Sequence, residues 1–103
     1  MVECLNNVIT ISSDRATLED KTEIAALIST LIASGEQEIL VDLGATSYLP
    51  SELMGLFMWK KKELDSRGIK LRIIRISASL YRIFDTAMIT DFFNIDASCV
   101  TKE

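Results

Sequence analysis

Histidine is absent from this 103-residue sequence, and cysteine is scarce. Without histidine there is no His-containing zinc site, no Ser-His or Cys-His nucleophile pair, and no usual proton shuttle near neutral pH. The two cysteines, Cys4 and Cys99, lie near opposite ends of the chain and are too few for a four-cysteine zinc site. They are expected to be free, buried thiols rather than a disulfide. Most common hydrolytic mechanisms are therefore unavailable without unusual substitutes, which argues against an enzyme.

Basic residues are outnumbered by acidic ones. Lysine and arginine together number 11 and aspartate and glutamate 15, which gives a formal net charge of −4. This balance argues against nucleic-acid binding, because phosphate contacts require a basic patch. No apolar run approaches the roughly 20 residues that a membrane span needs. Residues 1–7 include Glu3 and lack the basic start and apolar core of a signal peptide. We therefore expect a cytoplasmic protein with neither a nucleic-acid partner nor membrane insertion.

The composition is otherwise that of an ordinary globular domain. Hydrophobic residues make up 49% of the chain and charged residues 25%, which argues against disorder. The length suits one domain with its own core, and we expect a single domain that spans residues 1–103. The chain has no glycine-rich phosphate loop and no pair of carboxylates at a catalytic spacing. No cofactor is therefore expected, and a nucleotide-binding or enzymatic role is the least favoured interpretation.

The single proline, Pro50, lies within the stretch around which the chain is organised, residues 39–52. Residues 39–43 form a short apolar run, typical of a buried strand, that ends at Gly44. Because Pro50 fixes its own φ and favours extended backbone before it, Ser51 is predicted to cap a helix that reaches about Ser66. Asp42 is the one charge in the strand. It is either a catalytic acid or an acceptor for N–H groups of the turn, and the second is favoured because no other carboxylate lies nearby.

The remaining segments alternate between strand and helix patterns. Asn6 and Asn7 separate two β-prone runs and predict a hairpin, because asparagine tolerates positive φ. Thr17 and Asp20 have the spacing of a capping box. The predicted strands are residues 2–5, 8–12, 39–43, 69–76 and 94–97; the predicted helices follow Thr17 to about Ala33, run from Ser51 to about Ser66, and run from Leu80 to about Met88. The pattern predicts an α/β fold of two layers, with helices packed against a mixed four- to five-stranded sheet that starts with a hairpin.

The second predicted helix carries two apolar stripes. The stripe expected to face the sheet contains Met54, Phe57, Met58 and Leu64. The neighbouring stripe contains Leu53, Leu56 and Trp59, rotated towards solvent. One helix in a small two-layer domain rarely buries both stripes, so the second is a candidate contact surface. The alternative is a wide buried face with Trp59 lying over its edge.

Three consecutive lysines, Lys60 to Lys62, follow in the second half of the same helix. Positive charge is favourable there because the C-terminal end of a helix dipole is negative. A solvated charged run is therefore the simpler interpretation, and a phosphate-binding role is the alternative.

Three stretches of this sequence resemble the STAS family, the domain shared by sulfate transporters and anti-sigma factor antagonists. Residues 39–43 are similar to the family's central strand, which ends in Asp-Leu. Residues 47–56 are similar to its loop and helix motif, usually Asp-Ser-Ser/Thr-Gly-Leu. Residues 67–84 contain a Gly-x-x-Leu strand and a helix with a basic residue before an apolar-Phe pair. Together they cover nearly the whole chain, and the resemblance implies the STAS fold.

The resemblance also implies a protein-binding module in bacterial signalling. Antagonists of this type dock onto an anti-sigma factor that is also a serine kinase, and this kinase phosphorylates the first serine of the motif. That serine corresponds to Ser51. The implied contact residues are Pro50, Glu52, Leu53, Leu56 and Trp59. The sequence is also compatible with a homodimer.

The motif of this chain departs from the family's pattern, which makes it a divergent member. Pro50 replaces the aspartate, Glu52 the second serine or threonine, and Leu53 the glycine; Met88 stands where a later glycine is usual. Ser51 is therefore either a phosphorylation site or a plain helix cap. If the site is lost, the domain is a constitutive scaffold or an accessory subunit of a transport system.

Overall fold

The structure of the protein is a computed structural model that describes residues 1–101. One mixed sheet of five strands forms its centre. The strands are β1 (Val2–Leu5), β2 (Val8–Ile11), β3 (Glu38–Leu43), β4 (Lys70–Ser77) and β5 (Val100–Thr101). They lie side by side in the order of the chain. β1 and β2 are antiparallel, whereas β2, β3, β4 and β5 are parallel. The predicted α/β fold with an initial hairpin is confirmed.

Three helices cover one face of this sheet. They are α1 (Leu18–Ala33), α2 (Ser51–Ser66) and α3 (Ala78–Thr86). Alternate residues of β3 show the arrangement: Ile39, Val41 and Leu43 are fully buried, and the residues between them are half-buried. The buried apolar residues of all three helices belong to the same core cluster as these strand residues. The protein therefore has two layers, as predicted. Within residues 1–101, none of the helices is both long and apolar enough to cross a membrane.

Local signals in the sequence account for the helix boundaries. The capping box of α1 is present: the Asp20 amide donates to Thr17 Oγ1 at 3.3 Å, and the Thr17 amide donates to Asp20 Oδ2 at 2.8 Å. Ser77 caps α3, since its Oγ accepts a hydrogen bond from the Leu80 amide at 3.2 Å. These contacts satisfy backbone amides that have no partner within the helix.

The end of the chain differs from the prediction. Residues 94–97 do not form a strand: Asn94 ends a turn with a φ of 57°, and residues 95 and 96 are irregular. Ala97 begins a short 3-10 helix, Ala97–Cys99, which Asp96 caps by accepting a hydrogen bond from the Ser98 amide at 2.8 Å. Hydrogen bonds from the Ser98 side chain and backbone hold the pKa of Asp96 below its ordinary value. The sequence also predicts fraying of the tail, residues 100–103, but residues 100 and 101 form the last strand, β5. The rest of that tail, residues 102 and 103, lies outside the described residues.

The two cysteines are free, as predicted. Cys4 is nevertheless exposed, so its predicted burial is wrong, and Cys99 is only partly buried. Cys4 lies on the edge strand β1, where Glu3 and Leu5 are exposed as well.

All three helices end in the same backbone motif, but only two of them place glycine in it. Gly35 and Gly68 have φ values of 85° and 73°, in the left-handed region that glycine adopts without strain. After α3 the same position is Met88, with a φ of 62° and a side chain that is 86% exposed. The Met88 amide donates to Asp85 O and the next amide to Phe84 O, both at 3.0 Å, which defines the motif.

Substituting glycine for Met88 is therefore expected to stabilise the protein by about 1 kcal/mol, because a side chain in the left-handed region is strained. Urea unfolding of the two proteins measures the difference. Ala87→Gly is the matched control: Ala87 has a φ of −78°, where glycine brings no relief and should destabilise. Equal or lower stability of Met88→Gly would contradict this account of α3.

Candidate functional site

The loop between β3 and α2, residues 44–50, is held at the edge of the sheet where the parallel strands end. Thr46 is fully buried in this loop. Its Oγ1 lies 3.1 Å from Ile11 O and 2.9 Å from Ser13 O, at the end of β2. Its carbonyl oxygen accepts a hydrogen bond of 2.6 Å from Ser77 Oγ, at the end of β4. The loop is thus bonded to the strands on both sides of β3.

A second set of contacts joins the loop to the segment before α1. The amides of Ser47 and Tyr48 donate to Asp14 O at 2.8 and 3.2 Å, and Ser47 Oγ donates to Asp14 Oδ1 at 2.6 Å. The Arg15 guanidinium lies 4.4 Å from the centre of the Tyr48 ring, a cation–π distance. These contacts span more than 30 positions of the sequence, and no local pattern predicts them. The backbone that leads into α2 is therefore rigidly supported.

Asp42 has the structural role that the sequence favoured. Its Oδ1 accepts a hydrogen bond from the Gly44 amide at 2.9 Å, and its Oδ2 lies 3.7 Å from Arg75 Nη1. A Cβ at Gly44 would lie 3.2 Å from Arg75 Nε, Asp42 Oδ1 and Thr101 Cγ2, which is tight for any side chain. Asp42 and Gly44 therefore shape the turn that follows β3.

Ser51 is the first residue of α2 and not its cap, so the predicted capping role is wrong. The cap position is Pro50, whose φ of −60° and ψ of 149° are extended, and no side chain caps the helix. The Pro50 carbonyl accepts hydrogen bonds from the amides of Leu53 and Met54, at 3.0 and 3.1 Å. Ser51 is exposed, and among residues 1–101 its hydroxyl has no hydrogen-bond partner. This hydroxyl is therefore accessible to another protein.

The orientation of α2 differs from the prediction. Leu53 was expected on the exposed stripe but is fully buried with Phe57 and Leu64, because it belongs to the core cluster under the helix. Met54 and Met58, which were expected to face the sheet, are only half-buried. Including Leu53 in an exposed contact surface is therefore wrong.

The remaining exposed side of α2 is continuous from its first residue. Ser51, Gly55 and Trp59 are four residues apart and therefore lie on one side of the helix. We call this side the docking face; it comprises Ser51, Glu52, Gly55, Leu56 and Trp59. Trp59 is 70% exposed, whereas Leu56 is half-buried at the margin.

Gly55 was not identified as a site residue from the sequence. A Cβ at this position would have no neighbour within 4 Å, so packing within the described residues does not require glycine. Glycine in a helix interior costs about 1 kcal/mol relative to alanine. Its effect here is to leave the helix backbone bare between Ser51 and Trp59. The sequence did contain a signal for Gly55: it is a glycine inside a helical pattern, four residues before Trp59.

Comparison with known proteins identifies a fold but not a close relative. No protein-family model and no curated protein matches the chain. Among solved structures, it is similar to the anti-sigma factor antagonist SpoIIAA in its unphosphorylated form, with a TM-score of 0.72 and 17% sequence identity. The match covers 100% of this chain and 86% of that chain. This chain has the STAS fold. The fold implied by the three sequence stretches is thereby confirmed.

In this STAS fold, the docking face and the supported loop form one corner of the molecule. The corner presents an exposed hydroxyl, an exposed carboxylate from Glu52 and an exposed indole from Trp59. The nearby carboxylates Asp14 and Asp42 are held by hydrogen bonds to Ser47 and Gly44. Within residues 1–101, no three His, Cys, Asp or Glu side chains are close enough together to share a metal ion. The arrangement is suited to contact with another protein.

Proposed function

We propose that this protein is a non-enzymatic interaction module of the anti-sigma factor antagonist type. It acts in the cytoplasm of a bacterium as a single domain that spans residues 1–103. Its partner is an anti-sigma factor of the serine-kinase type, which it binds through the docking face in partner-switching signalling. The observation that carries the proposal is the exposure of Trp59, 70%, on the same side of α2 as the exposed Ser51.

The chemistry of the docking face supports a protein partner. Tryptophan is among the residues that most often dominate the binding energy of protein interfaces, because its large ring becomes desolvated on contact. Gly55 allows a partner to approach the helix backbone beside that ring. The rigid loop before α2 lowers the entropy that ordering the site would otherwise cost on binding.

Phosphorylation of Ser51 would control this contact. Ser51 is in the first turn of α2, where free backbone amides and the helix dipole favour a negative group. A phosphate adds about −1.5 to −2 charges at neutral pH. It would stand beside Glu52 and in front of the apolar part of the docking face. The modified protein would keep its fold, while a partner packed on Trp59 would meet a hydrated anion and dissociate.

Two substitutions in the docking face are expected to separate binding from stability. Trp59→Ala should weaken partner binding about 30-fold, the effect of a hot spot of about 2 kcal/mol. Gly55→Ala should stabilise the protein by about 1 kcal/mol and yet weaken binding about tenfold, because its methyl group blocks close approach. The wild-type protein is first used to capture its partner from the native host, and mass spectrometry tests whether that partner is a serine-kinase-type anti-sigma factor. Calorimetry with the purified partner then measures the affinity of each variant.

Leu5→Ala is the matched control for these variants. Leu5 is 76% exposed on β1, outside the docking face, and its loss should leave affinity unchanged. Wild-type affinity in both Trp59→Ala and Gly55→Ala would remove this face from the proposal. Failure to capture any kinase-type protein would argue against the proposed class of partner.

The alternative is a constitutive STAS scaffold or an accessory subunit of a transport system, without a phosphate switch. It is favoured by Glu52, whose permanent charge beside Ser51 would repel an incoming phosphate. Intact-mass spectra of protein isolated from the native host distinguish the two functions. We expect a species heavier by one phosphate group, absent from the Ser51→Ala variant. A single unmodified mass under all growth conditions would favour the scaffold.

A further inference from the structure

The structure separates the three consecutive lysines of α2. Lys60 pairs with Glu63 at 3.3 Å on the helix surface, and Lys62 is exposed. Lys61 is different: the residue is only 9% exposed, and its Nζ lies 3.4 Å from Asp65 Oδ2. The run is therefore not one solvated basic patch, and Lys61 requires an explanation of its own.

The ion pair with Asp65 uses little of the hydrogen-bonding capacity of the Lys61 ammonium group, which ends a largely buried side chain. Asp65 is half-exposed, with 54% of its side chain in solvent, and the distance is long for a charged hydrogen bond. An ammonium group has three donors, and Asp65 is its one side-chain partner among residues 1–101. Burying a charge is costly unless its hydrogen-bonding capacity is used.

Lys61 lines a cavity in which other cationic side chains meet. The cavity, of about 390 Å³, is bounded by Lys61, Asp65, Lys70, Leu71, Arg72 and Asn94. Three of these residues are positively charged and one is negatively charged, in a chain whose net charge is −4. Arg72 is also paired, since its Nη1 lies 3.2 Å from Glu38 Oε2 on the neighbouring strand. The walls of the cavity therefore carry an excess of positive charge even when the Lys61–Asp65 and Arg72–Glu38 ion pairs are both formed.

We propose that this cavity binds a small polyanion through its phosphate or carboxylate oxygens. Lys61 supplies a point charge at the end of a largely buried side chain, Arg72 a planar guanidinium suited to two oxygens, and Asn94 an amide donor. The volume lies within the range of small-molecule sites, about 300–1,000 Å³. An anion would balance the positive charge that remains on the walls after the Lys61–Asp65 and Arg72–Glu38 pairs are formed. The site is ten residues along α2 from Ser51, about 15 Å away at the helix rise, and is independent of the docking face.

The experiment is an NMR titration of backbone amides with pyrophosphate and, separately, citrate, at constant ionic strength. Saturable shifts are expected for Leu71, Arg72 and Asn94. Lys61→Met should weaken binding about tenfold or more, as expected for a lost charge-assisted hydrogen bond. Lys62→Met removes the same charge from the neighbouring exposed position and should leave affinity within a factor of about two. Tighter binding of pyrophosphate assigns a phosphate ligand, and tighter binding of citrate assigns a polycarboxylate.

Lys70→Met is a second variant that does not disturb the core, because Lys70 is exposed. It should weaken binding about threefold, the scale of an exposed charge contact. The proposal is overturned by shifts that do not saturate, by equal losses in Lys61→Met and Lys62→Met, or by wild-type affinity in Lys61→Met. If Lys61→Met does not fold, unchanged affinity in Lys70→Met overturns it.

Discussion

Replacing Leu53 with alanine is expected to lower the free energy of unfolding by about 2–5 kcal/mol. Leu53 is fully buried in the first turn of α2 and belongs to the core cluster with Phe57 and Leu64. Truncation removes buried methyl groups and leaves a cavity that the rigid loop before α2 cannot collapse to fill. Urea denaturation followed by circular dichroism measures the loss.

Leu18→Ala is the control for this prediction. Leu18 is also at the start of a helix, but it is 54% exposed, so the same substitution should change stability by no more than about 0.5 kcal/mol. The comparison decides the role of Leu53, which stands where the STAS motif usually has glycine. If Leu53→Ala changes the free energy of unfolding only slightly but abolishes partner binding, Leu53 belongs to the contact surface, as the sequence predicted.

Replacing Ser77 with alanine should destabilise the protein by about 1.5–5 kcal/mol. The Ser77 hydroxyl has two functions: it accepts the Leu80 amide at 3.2 Å to cap α3, and it donates to Thr46 O at 2.6 Å. A lost cap costs about 0.5–2 kcal/mol. The Thr46 carbonyl would also be left buried without its donor, at about 1–3 kcal/mol.

Ser29→Ala controls for the loss of a hydroxyl. Ser29 is exposed in the middle of α1, where alanine is the better helix former, and the change should be neutral or slightly stabilising. Hydrogen exchange gives a second measurement, because Ser77→Ala should speed exchange of the Ser47 and Tyr48 amides as the loop loosens. Unchanged exchange together with full stability would show that Ser77 does not support the corner before α2.

Most of the secondary structure could be predicted from the sequence because it depends on close neighbours. The alternation in β2 and the capping box at Thr17 involve residues within a few positions of each other. The glycines after α1 and α2 act in the same local way. Residues 94–97 were mispredicted as a strand because a local apolar residue such as Ile95 suggests one. Ile95 and the preceding Phe93 are buried, but neither lies in a strand.

The candidate site was only partly predictable. The exposed Trp59 and the position of Ser51 at the start of α2 agree with the sequence pattern. The cap at Pro50, the burial of Leu53 and the bare backbone at Gly55 do not follow from that pattern. The burial of Leu53 depends on how α2 is rotated against β4 and α1, because helical periodicity leaves two adjacent stripes equally suited to face the core.

The sequence by itself determined the succession of strands and helices and the initial hairpin, because each depends on residues a few positions apart. The STAS fold was implied by the resemblance of three stretches to that family. Only the tertiary structure decided which side of α2 is exposed, how the loop before it is held, and that Lys61 is buried beside Lys70 and Arg72. Those features arise from contacts across the sheet, such as Ser77 with Thr46, 31 residues apart. Packing between distant segments sets them, and no local pattern encodes such contacts.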